Sequence, residues 1–381
     1  MNTLPTEEQA ALEDSCRNLL RKEWPLEKAL ATVGPQGPRH STELWGTIAE
    51  AGWLGFPFSA ALGGSEGALL DLGLIYRAAG EAMVPSSLYS SMFAGLLVDA
   101  LGSAEQKRAL LTPFTAGRSV LAAAWAEPAA ADELRLLQCT ASRIGDEWVL
   151  RGTKSFIADL GAADTLLVLV RLRSLSEQLG WGVFVVPKEV VASRSTRQEA
   201  FGGTPLWQVS FDDLRLPMSA LLGGVAAAAT TLAAFETVME KAAALQCMEM
   251  AGGIQHVLDF TIAYVKERKQ FGRPLGANQA VQHLLTNIAI PLDGVRVAAL
   301  KALFLVGKGR AATRAVSIAK VAAGECYVNA TITCQQLWGA MGYARETGLY
   351  LWTERAKVAD AWFGTRAWHL RRLARTLNMV A

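Results

Sequence analysis

The stretch Tyr264-Val-Lys-Glu-Arg-Lys-Gln-Phe-Gly-Arg-Pro274, with Gln279 shortly after it, lies between two of the longest helical patterns in this sequence. Apolar residues recur at helical intervals before it, over roughly 226–269, and after it, over 278–307. Two further helical patterns follow at 313–340 and 345–376. Four long helices with short connections predict an antiparallel bundle over residues 225–381.

The rest of the chain shows two further sequence patterns. Residues 1–118 are predicted to be helical, and Thr6-x-x-Gln9 and Ser103-x-x-Gln106 both have the spacing of a capping box. Residues 119–224 contain short apolar or alternating runs, and Gly145-Asp146 between two of them predicts a hairpin turn. The predicted fold class is α+β, with an N-terminal helical domain, a middle antiparallel β-domain and a C-terminal four-helix bundle.

Composition excludes several classes of protein. The 381 residues include 37 basic and 35 acidic side chains, which indicates no nucleic-acid partner. The polar, acidic N-terminus is unlike a secretory signal, and the most apolar run, 220–234, is too short for a membrane span. The five cysteines show no CxxC pairing and the four histidines no metal-binding spacing. These features predict a cytoplasmic protein with reduced thiols and no metal site.

Motifs along nearly the whole chain resemble those of the acyl-CoA dehydrogenase family. Any one of them is weak, but their order and spacing are specific: Leu62-Gly63-Gly64, the stretch from Gly102 to Leu110, Ala126-Glu127-Pro128, the stretch from Lys154 to Ile157, the stretch from Arg268 to Gly272, and the stretch from Gln336 to Tyr343. The resemblance implies the family fold, usually as a tetramer, and FAD as cofactor. It also implies that FAD lies across a subunit interface, with its adenine-pyrophosphate arm on the bundle of the neighbouring chain.

The positions that match the family's contacts to this arm carry the residue types that the family uses there. They are Arg268, Phe271, Gln279 and Gln336, with Gly339 and Gly342 allowing close backbone approach and Thr365 in register. A dianionic pyrophosphate needs a fixed cation, and arginine supplies a planar fork that is always charged. Taken alone, Arg268 could be a solvated helix charge and Phe271 an ordinary core residue.

The positions that match the flavin half depart from the family pattern. Ala126 stands where the family offers the flavin a threonine hydroxyl, and the usual Trp-Ile-Thr is Phe156-Ile157-Ala158. Phe156 can still pack on the ring, and the backbone N–H groups remain. We expect a weakened flavin contact.

Both family positions for the catalytic base lack a carboxylate. The family reaction needs a glutamate of raised pKa to remove the α-proton of an acyl-CoA thioester. One position is Phe363 here, beside the bulky Trp362, and the other aligns with Ala242, followed by Ala243. Glu240 points about 200° away from Ala242, and Glu249 lies roughly 10 Å along the same helix face, so either substitute needs a displaced substrate.

Three functions remain open at this stage. The favoured one is a subunit of a heteromeric acyl-CoA dehydrogenase that completes the FAD site of a second family subunit, most simply in a heterotetramer. The partner would bind the acyl-CoA, and an acceptor resembling electron-transferring flavoprotein would take the electrons. Heteromers of this type in the family include ones that act on bulky ring compounds such as steroid side chains. The alternatives are a self-sufficient dehydrogenase with an unusual base, and a non-enzymatic scaffold.

Overall fold

The protein is described by a computed structural model that covers residues 4–130, 133–173, 178–198, 200–201, 204–270 and 272–379. The N-terminal region is helical, as predicted. Its helices are α1 Glu7–Glu23, α2 Leu26–Val33, α3 Thr42–Glu50, α4 Leu69–Glu81, α5 Ser87–Leu101 and α6 Ala104–Thr115. Both predicted capping boxes are present, at Thr6/Gln9 and at Ser103/Gln106.

The middle region contains the strands β1 to β9 and one short helix. Their bounds are β1 Leu121–Ala124, β2 Thr140–Ile144, β3 Glu147–Arg151, β4 Thr153–Ala158, β5 Thr165–Arg173, β6 Gln178–Pro187, α7 Lys188–Val191, β7 Ser195–Gln198, β8 Leu206–Ser210 and β9 Leu214–Pro217. One sheet has the strand order β1-β5-β2-β3-β9, with β6 also paired to β5, and a second has the order β4-β8-β7. The predicted turn at Gly145-Asp146 joins β2 to β3.

The prediction of a β-domain is confirmed, but its strands are not antiparallel throughout. β1 and β2 both run parallel to β5, with Leu121 opposite Thr165 and Thr140 opposite Arg171, while β6 pairs antiparallel along the other edge. The reason lies in β5, whose positions 166–170 are all buried. A continuous apolar run of this kind is typical of a central strand with both faces covered.

The C-terminal region is a bundle of long helices. They are α8 Thr231–Glu267, α9 Gln279–Gly307, α10 Thr313–Trp338, α11 Leu349–Ala361 and α12 Arg366–Thr376, with a small hairpin of β10 Lys269–Gln270 and β11 Arg273–Pro274 between α8 and α9. None of the helices in the described ranges combines the length and hydropathy that a membrane span requires.

The fourth predicted helix, 345–376, is broken into α11 and α12. Phe363 has φ 53° and Gly364 has φ 103°, so neither residue has the backbone conformation of a right-handed helix. This break forms a turn over Trp362–Thr365 that points back toward the middle domain. The turn is the part of the fold that shapes the candidate site.

The N-terminal domain packs directly on the bundle through α4 and α8. A Cβ at Gly80 would collide with the backbone carbonyl of Glu249, and one at Gly252 with that of Arg77. The two helices therefore cross with almost no side chain between them at these points. This close crossing places the first turns of α5 beside the middle of α8.

Candidate functional site

A cavity of about 460 Å³ lies between the middle domain and the C-terminal bundle. It brings together Ala126 and Phe156, predicted for the flavin half, Phe363, at a position of the base, and Thr365, predicted with the cofactor arm. The remaining described lining residues are Trp125, Glu127, Pro128, Ala200, Phe201, Leu206, Lys357, Val358, Ala361, Trp362 and Gly364. Ala158 is buried behind this wall, in β4 opposite Leu206.

Phe156 reaches the cavity because β4 is irregular there. The register of β4 against β8 shifts between Lys154 and Ile157, and Phe156 takes φ 58°, which leaves its side chain 51% exposed. Its backbone N–H donates to Oε1 of Gln198 at 2.9 Å. This N–H is therefore already engaged, contrary to the expectation that it would remain for a ligand, because β7 brings Gln198 within hydrogen-bonding distance of it.

Glu127 is the one carboxylate among the described residues that line the cavity. Lys154 Nζ lies 2.6 Å from its Oε1, and the backbone N–H groups of Gln138 and Cys139 donate to it at 2.6 and 3.0 Å. Burial opposes ionisation, but Lys154 and these donors outweigh it and hold the pKa of Glu127 below its ordinary value. A general base in this family chemistry needs the opposite shift, so Glu127 is a structural anion.

An aromatic cluster fills the inner side of the cavity. The ring of Phe363 stacks on Trp125 at 6.1 Å between centroids and 12° between planes, and it lies 5.1 Å from Phe93. The ring centroid of Phe235 lies 5.7 Å from that of Phe93 and 6.4 Å from that of Trp125. Phe93, Phe235 and Phe363 are buried. We call these four residues the aromatic cluster; they leave little room for an acyl chain beside Phe363.

The two glutamates considered as substitute bases have structural partners. Glu249 is buried, accepts from Gln246 Nε2 at 2.5 Å and pairs with Arg355 at 3.4 Å. Glu240 accepts from Thr313 Oγ1 at 2.6 Å and from Arg372 at 2.7 Å. Neither glutamate lines the cavity within the described ranges, and Ala242 is buried in α8 away from it.

The residues predicted for the cofactor arm lie at one end of the bundle. Arg268, Gln279, Gln336 and Gly339 are exposed, while Gly342 is buried, and a Cβ there would lie 2.7 Å from the carbonyl oxygen of Gln335. Tyr264 stacks on Trp338 at 3.9 Å, which joins the end of α8 to the end of α10. Phe271 lies outside the described residues. Of the arm residues in the described ranges, only Thr365 lines the cavity, and the others form a separate surface of the chain.

A second cavity of about 390 Å³ has a cationic lining. Three arginines and two glutamates contribute to it, with Trp368 and two apolar residues: Arg135, Arg372, Arg375, Glu133, Glu236, Trp368, Leu134 and Met239. The guanidinium of Arg372 lies 4.5 Å from the centroid of the Trp368 ring. No periodic pattern in the sequence predicts this site, because its residues come from three separate segments.

Residues that the sequence analysis missed share one property. Phe93, Phe235, Gln198 and Lys154 reach the site only through tertiary packing. Trp125 could have been identified from the sequence, because it directly precedes Ala126 in a family motif. A bulky aromatic residue next to a flavin position indicates a filled pocket.

Gly364→Ala should disrupt the turn at Trp362–Thr365. The φ of 103° disfavours any side chain, and a Cβ would collide with the ring of Trp368 and lie 2.9 Å from His369 Nε2. We expect a loss of at least about 2 kcal/mol in the free energy of unfolding, measured by urea denaturation. Gly309→Ala is the matched control, because it has φ 62° with no atom within 4 Å of the added Cβ. Equal losses in the two variants would show that the collision contributes nothing.

Comparison with known proteins agrees with this fold. The family models for the N-terminal, middle and C-terminal domains of acyl-CoA dehydrogenase match residues 6–118, 122–214 and 231–378. This chain belongs to the acyl-CoA dehydrogenase family. FadE12 of Mycobacterium tuberculosis, an acyl-CoA dehydrogenase, is 30% identical over 331 residues, or 84% of each chain.

Solved structures share the whole architecture. Butyryl-CoA dehydrogenase from Megasphaera elsdenii superposes with a TM-score of 0.88 at 21% identity, covering 99% of this chain and 100% of that one. PigA with FAD and proline superposes with a TM-score of 0.89 at 24% identity and full coverage of both chains. The predicted fold class is thereby confirmed, and the cofactor of the family is FAD, as expected from the sequence.

The residues around the 460 Å³ cavity fit a flavin ring mainly by shape. The volume lies within the range of about 300–1,000 Å³ typical of small-molecule sites. Aromatic side chains line it, but Ala126 offers no hydroxyl, and the Phe156 N–H is bound to Gln198. The described lining therefore offers a flavin ring more apolar surface than hydrogen-bond partners.

Proposed function

We propose that this chain is the non-catalytic subunit of a heteromeric acyl-CoA dehydrogenase. Its bundle would hold the adenine-pyrophosphate arm of an FAD whose ring sits in a second family subunit. That partner would supply the glutamate and bind the acyl-CoA. An electron-transferring flavoprotein-like acceptor would reoxidise the flavin.

One observation carries this proposal. Where the family places a base against the substrate, this chain has Phe363 packed into the aromatic cluster, and the described lining holds no carboxylate except the ion-paired Glu127. A thioester could not place its α-carbon within the roughly 3 Å that proton transfer requires. Arg268, Gln279, Gln336 and Gly339 of the predicted arm site, in contrast, are exposed.

The exposed end of the bundle supports the shared site. Arg268 is exposed at the end of α8, and its side chain makes no hydrogen bond or ion pair with the described residues. Gln279 begins α9 and Gln336 lies in the last turn of α10. An arginine fork with two amides suits a pyrophosphate.

The cytoplasmic location stays a prediction. The five free, buried cysteines are compatible with it.

Co-expression with a second family member that has the catalytic glutamate tests this proposal. We expect this chain alone to bind FAD poorly and to show no acyl-CoA dehydrogenase activity, and the complex to contain FAD. A yellow homotetramer that reduces an electron acceptor with acyl-CoA would overturn the proposal. A chain that binds neither flavin nor a partner would favour the scaffold.

Arg268→Ala should lower the FAD content of the complex without preventing its assembly. Loss of a charge-assisted contact to phosphate costs about 1.5–3 kcal/mol, roughly a tenfold to hundredfold loss of affinity. The measurement is the ratio of flavin to protein at limiting FAD. Arg310→Ala is the control, because it removes an exposed arginine beyond the other end of α9. The same FAD content in both variants would count against the shared site.

A second candidate function is a self-sufficient dehydrogenase, and the cationic cavity favours it. Arg135, Arg372 and Arg375 around Trp368 would suit the phosphates of a CoA. This alternative still requires a base and a path past the aromatic cluster. Anaerobic bleaching of flavin in this chain alone, with a panel of acyl-CoA thioesters, would separate the two candidates.

A further inference from the structure

A buried lysine holds the turn that forms much of the cavity wall. Lys320 on α10 is fully buried, and its Nζ donates to the carbonyl oxygens of Ala359 at 2.7 Å, Asp360 at 3.1 Å and Gly364 at 3.4 Å. The first two carbonyls belong to the last turn of α11. Carbonyls at a helix C-terminus lack partners within the helix and carry partial negative charge. The ammonium of Lys320 thus caps α11 and reaches the residue beyond Phe363.

His369 on α12 holds the same turn from the other side. Its Nε2 lies 3.1 Å from the carbonyl oxygen of Phe363, and its Nδ1 lies 3.3 Å from Ser317 Oγ. Since a carbonyl only accepts, Nε2 carries the proton, and Nδ1 accepts from the Ser317 hydroxyl. Burial, followed by the charge of Lys320, lowers the pKa of His369 to about 3. The ring is therefore neutral at pH 7 and keeps this tautomer.

Lys320 and His369 both depend on α10, which carries Lys320 itself and the Ser317 that contacts His369. Ser317 and Lys320 are three residues apart and so lie on one face of that helix. Between them they reach two carbonyls at the end of α11 and two of the turn, directly or through His369. The backbone they hold is unfavourable on its own, because a left-handed non-glycine residue such as Phe363 costs roughly 1–2 kcal/mol.

The turn supplies most of the C-terminal wall of the cavity. The lining residues from this segment are Val358, Ala361, Trp362, Phe363, Gly364 and Thr365. Lys320 itself is outside the described lining. Any effect it has on a ligand in the cavity must pass through the backbone that it fixes.

We propose that Lys320 is a positioning residue for the flavin cavity, and that His369 assists it. Its charge on α10 fixes the wall 358–365 and so sets the place of the Phe363 ring and the Thr365 side chain. The ligand assignment takes this chain's own cavity as the place of a flavin ring, which under the proposed function this chain binds only poorly when alone, but the anchoring of the turn does not depend on any ligand. The alternative is that Lys320 contributes only to global stability.

Hydrogen exchange of the full chain tests the anchoring without any ligand. In Lys320→Met, we expect the amides in peptides covering 357–368 to exchange at least about tenfold faster, while peptides within α9 keep their rate. Leu303→Ala is the control, since Leu303 is fully buried in α9 and its truncation lowers stability elsewhere. Equal local acceleration in the control, or none in Lys320→Met, would overturn the proposal.

A second pair of variants decides the matter if Lys320→Met does not fold. His369→Leu removes the donor to the Phe363 carbonyl, whereas His369→Gln keeps an N–H in its place. We expect faster exchange over 357–368 in the leucine variant and rescue by glutamine. Identical exchange in both variants would show that the hydrogen bond does not position the turn.

Flavin binding is the functional readout. FAD titrated into Lys320→Met, followed by quenching of flavin fluorescence, should show an affinity about tenfold below that of Leu303→Ala. A wild-type chain that binds no FAD, either alone or in the complex, counts against the proposed function, while hydrogen exchange still decides the role of Lys320. Equal FAD affinity in Lys320→Met and Leu303→Ala would overturn the flavin-positioning role.

Discussion

Replacing Glu249 by leucine is expected to lower the free energy of unfolding by about 3–5 kcal/mol, because it removes the carboxylate that pairs with the buried guanidinium of Arg355. Both side chains are almost fully inaccessible, and they join α8 to α11. Burial raises the pKa of Glu249, with Arg355 and Gln246 acting against it. The measurement is urea denaturation at pH 7.

The double variant Glu249→Leu/Arg355→Met tests whether the buried charge of Arg355 causes that loss of stability. Removing both charges should recover most of the lost stability, because apolar replacements of a buried ion pair are often tolerated. Glu147→Leu serves as the exposed control, since its pair with Arg215 at 2.9 Å is about half accessible on both sides and should contribute only about 0.2–1 kcal/mol. If Glu249→Leu lowered the free energy of unfolding as little as Glu147→Leu does, the buried-pair explanation would be contradicted.

The same variants bear on catalysis. Glu249 is the substitute base that the sequence left open, yet it is tied to Arg355 and lies outside the described cavity lining. The double variant should therefore leave flavin content and turnover of the assembled complex unchanged. Loss of turnover in a folded double variant would restore Glu249 as a candidate base.

Phe363→Glu is expected to lower stability by about 3–5 kcal/mol and to produce no dehydrogenase activity. The substitution removes a ring that contacts both Phe93 and Trp125, and it buries a carboxylate without a partner. Such a carboxylate will take up a proton rather than remain a base. Gly364 and Thr365 still frame the position, but the substrate α-carbon has no place to approach.

The test is anaerobic flavin bleaching of the FAD-loaded variant by a panel of acyl-CoA thioesters. Phe363→Leu is the matched control, because it opens space in the aromatic cluster without adding a carboxylate. No bleaching in either variant is the expected result. Bleaching by Phe363→Glu alone would mean that a working acyl pocket lies one residue away, and it would refute the non-catalytic proposal.

The sequence predicted the architecture well because the relevant signals are local. Apolar periodicity marked α8, α9 and α10, and the capping boxes at Thr6 and Ser103 marked the starts of α1 and α6. The break between α11 and α12 was missed, since φ 53° at Phe363 comes from its anchors rather than from its own preference. The parallel pairing of β1 and β2 was missed for a similar reason, because register between distant strands leaves no local trace.

The candidate site was predictable only in part. Family motifs selected Ala126, Phe156, Phe363 and Thr365, which line one cavity. Motifs could not show that Gln198 occupies the Phe156 N–H, that Phe93 and Phe235 fill the inner side, or that Lys320 fixes the wall. Each of these depends on side chains brought together from separate segments, where spacing along the chain carries no information.

The central place of β5 also sets an order of assembly during folding. β5 and β6 are close in sequence and pair along nearly their whole length, so this hairpin can form early. β1 and β2 must then pair with the opposite edge of β5, and β2, β3 and β4 separate Leu121 from Thr165 along the chain. Such distant contacts are slow to close because the chain loses entropy before they form. We therefore expect the sheet of the middle domain to be completed only after the β5–β6 hairpin has formed.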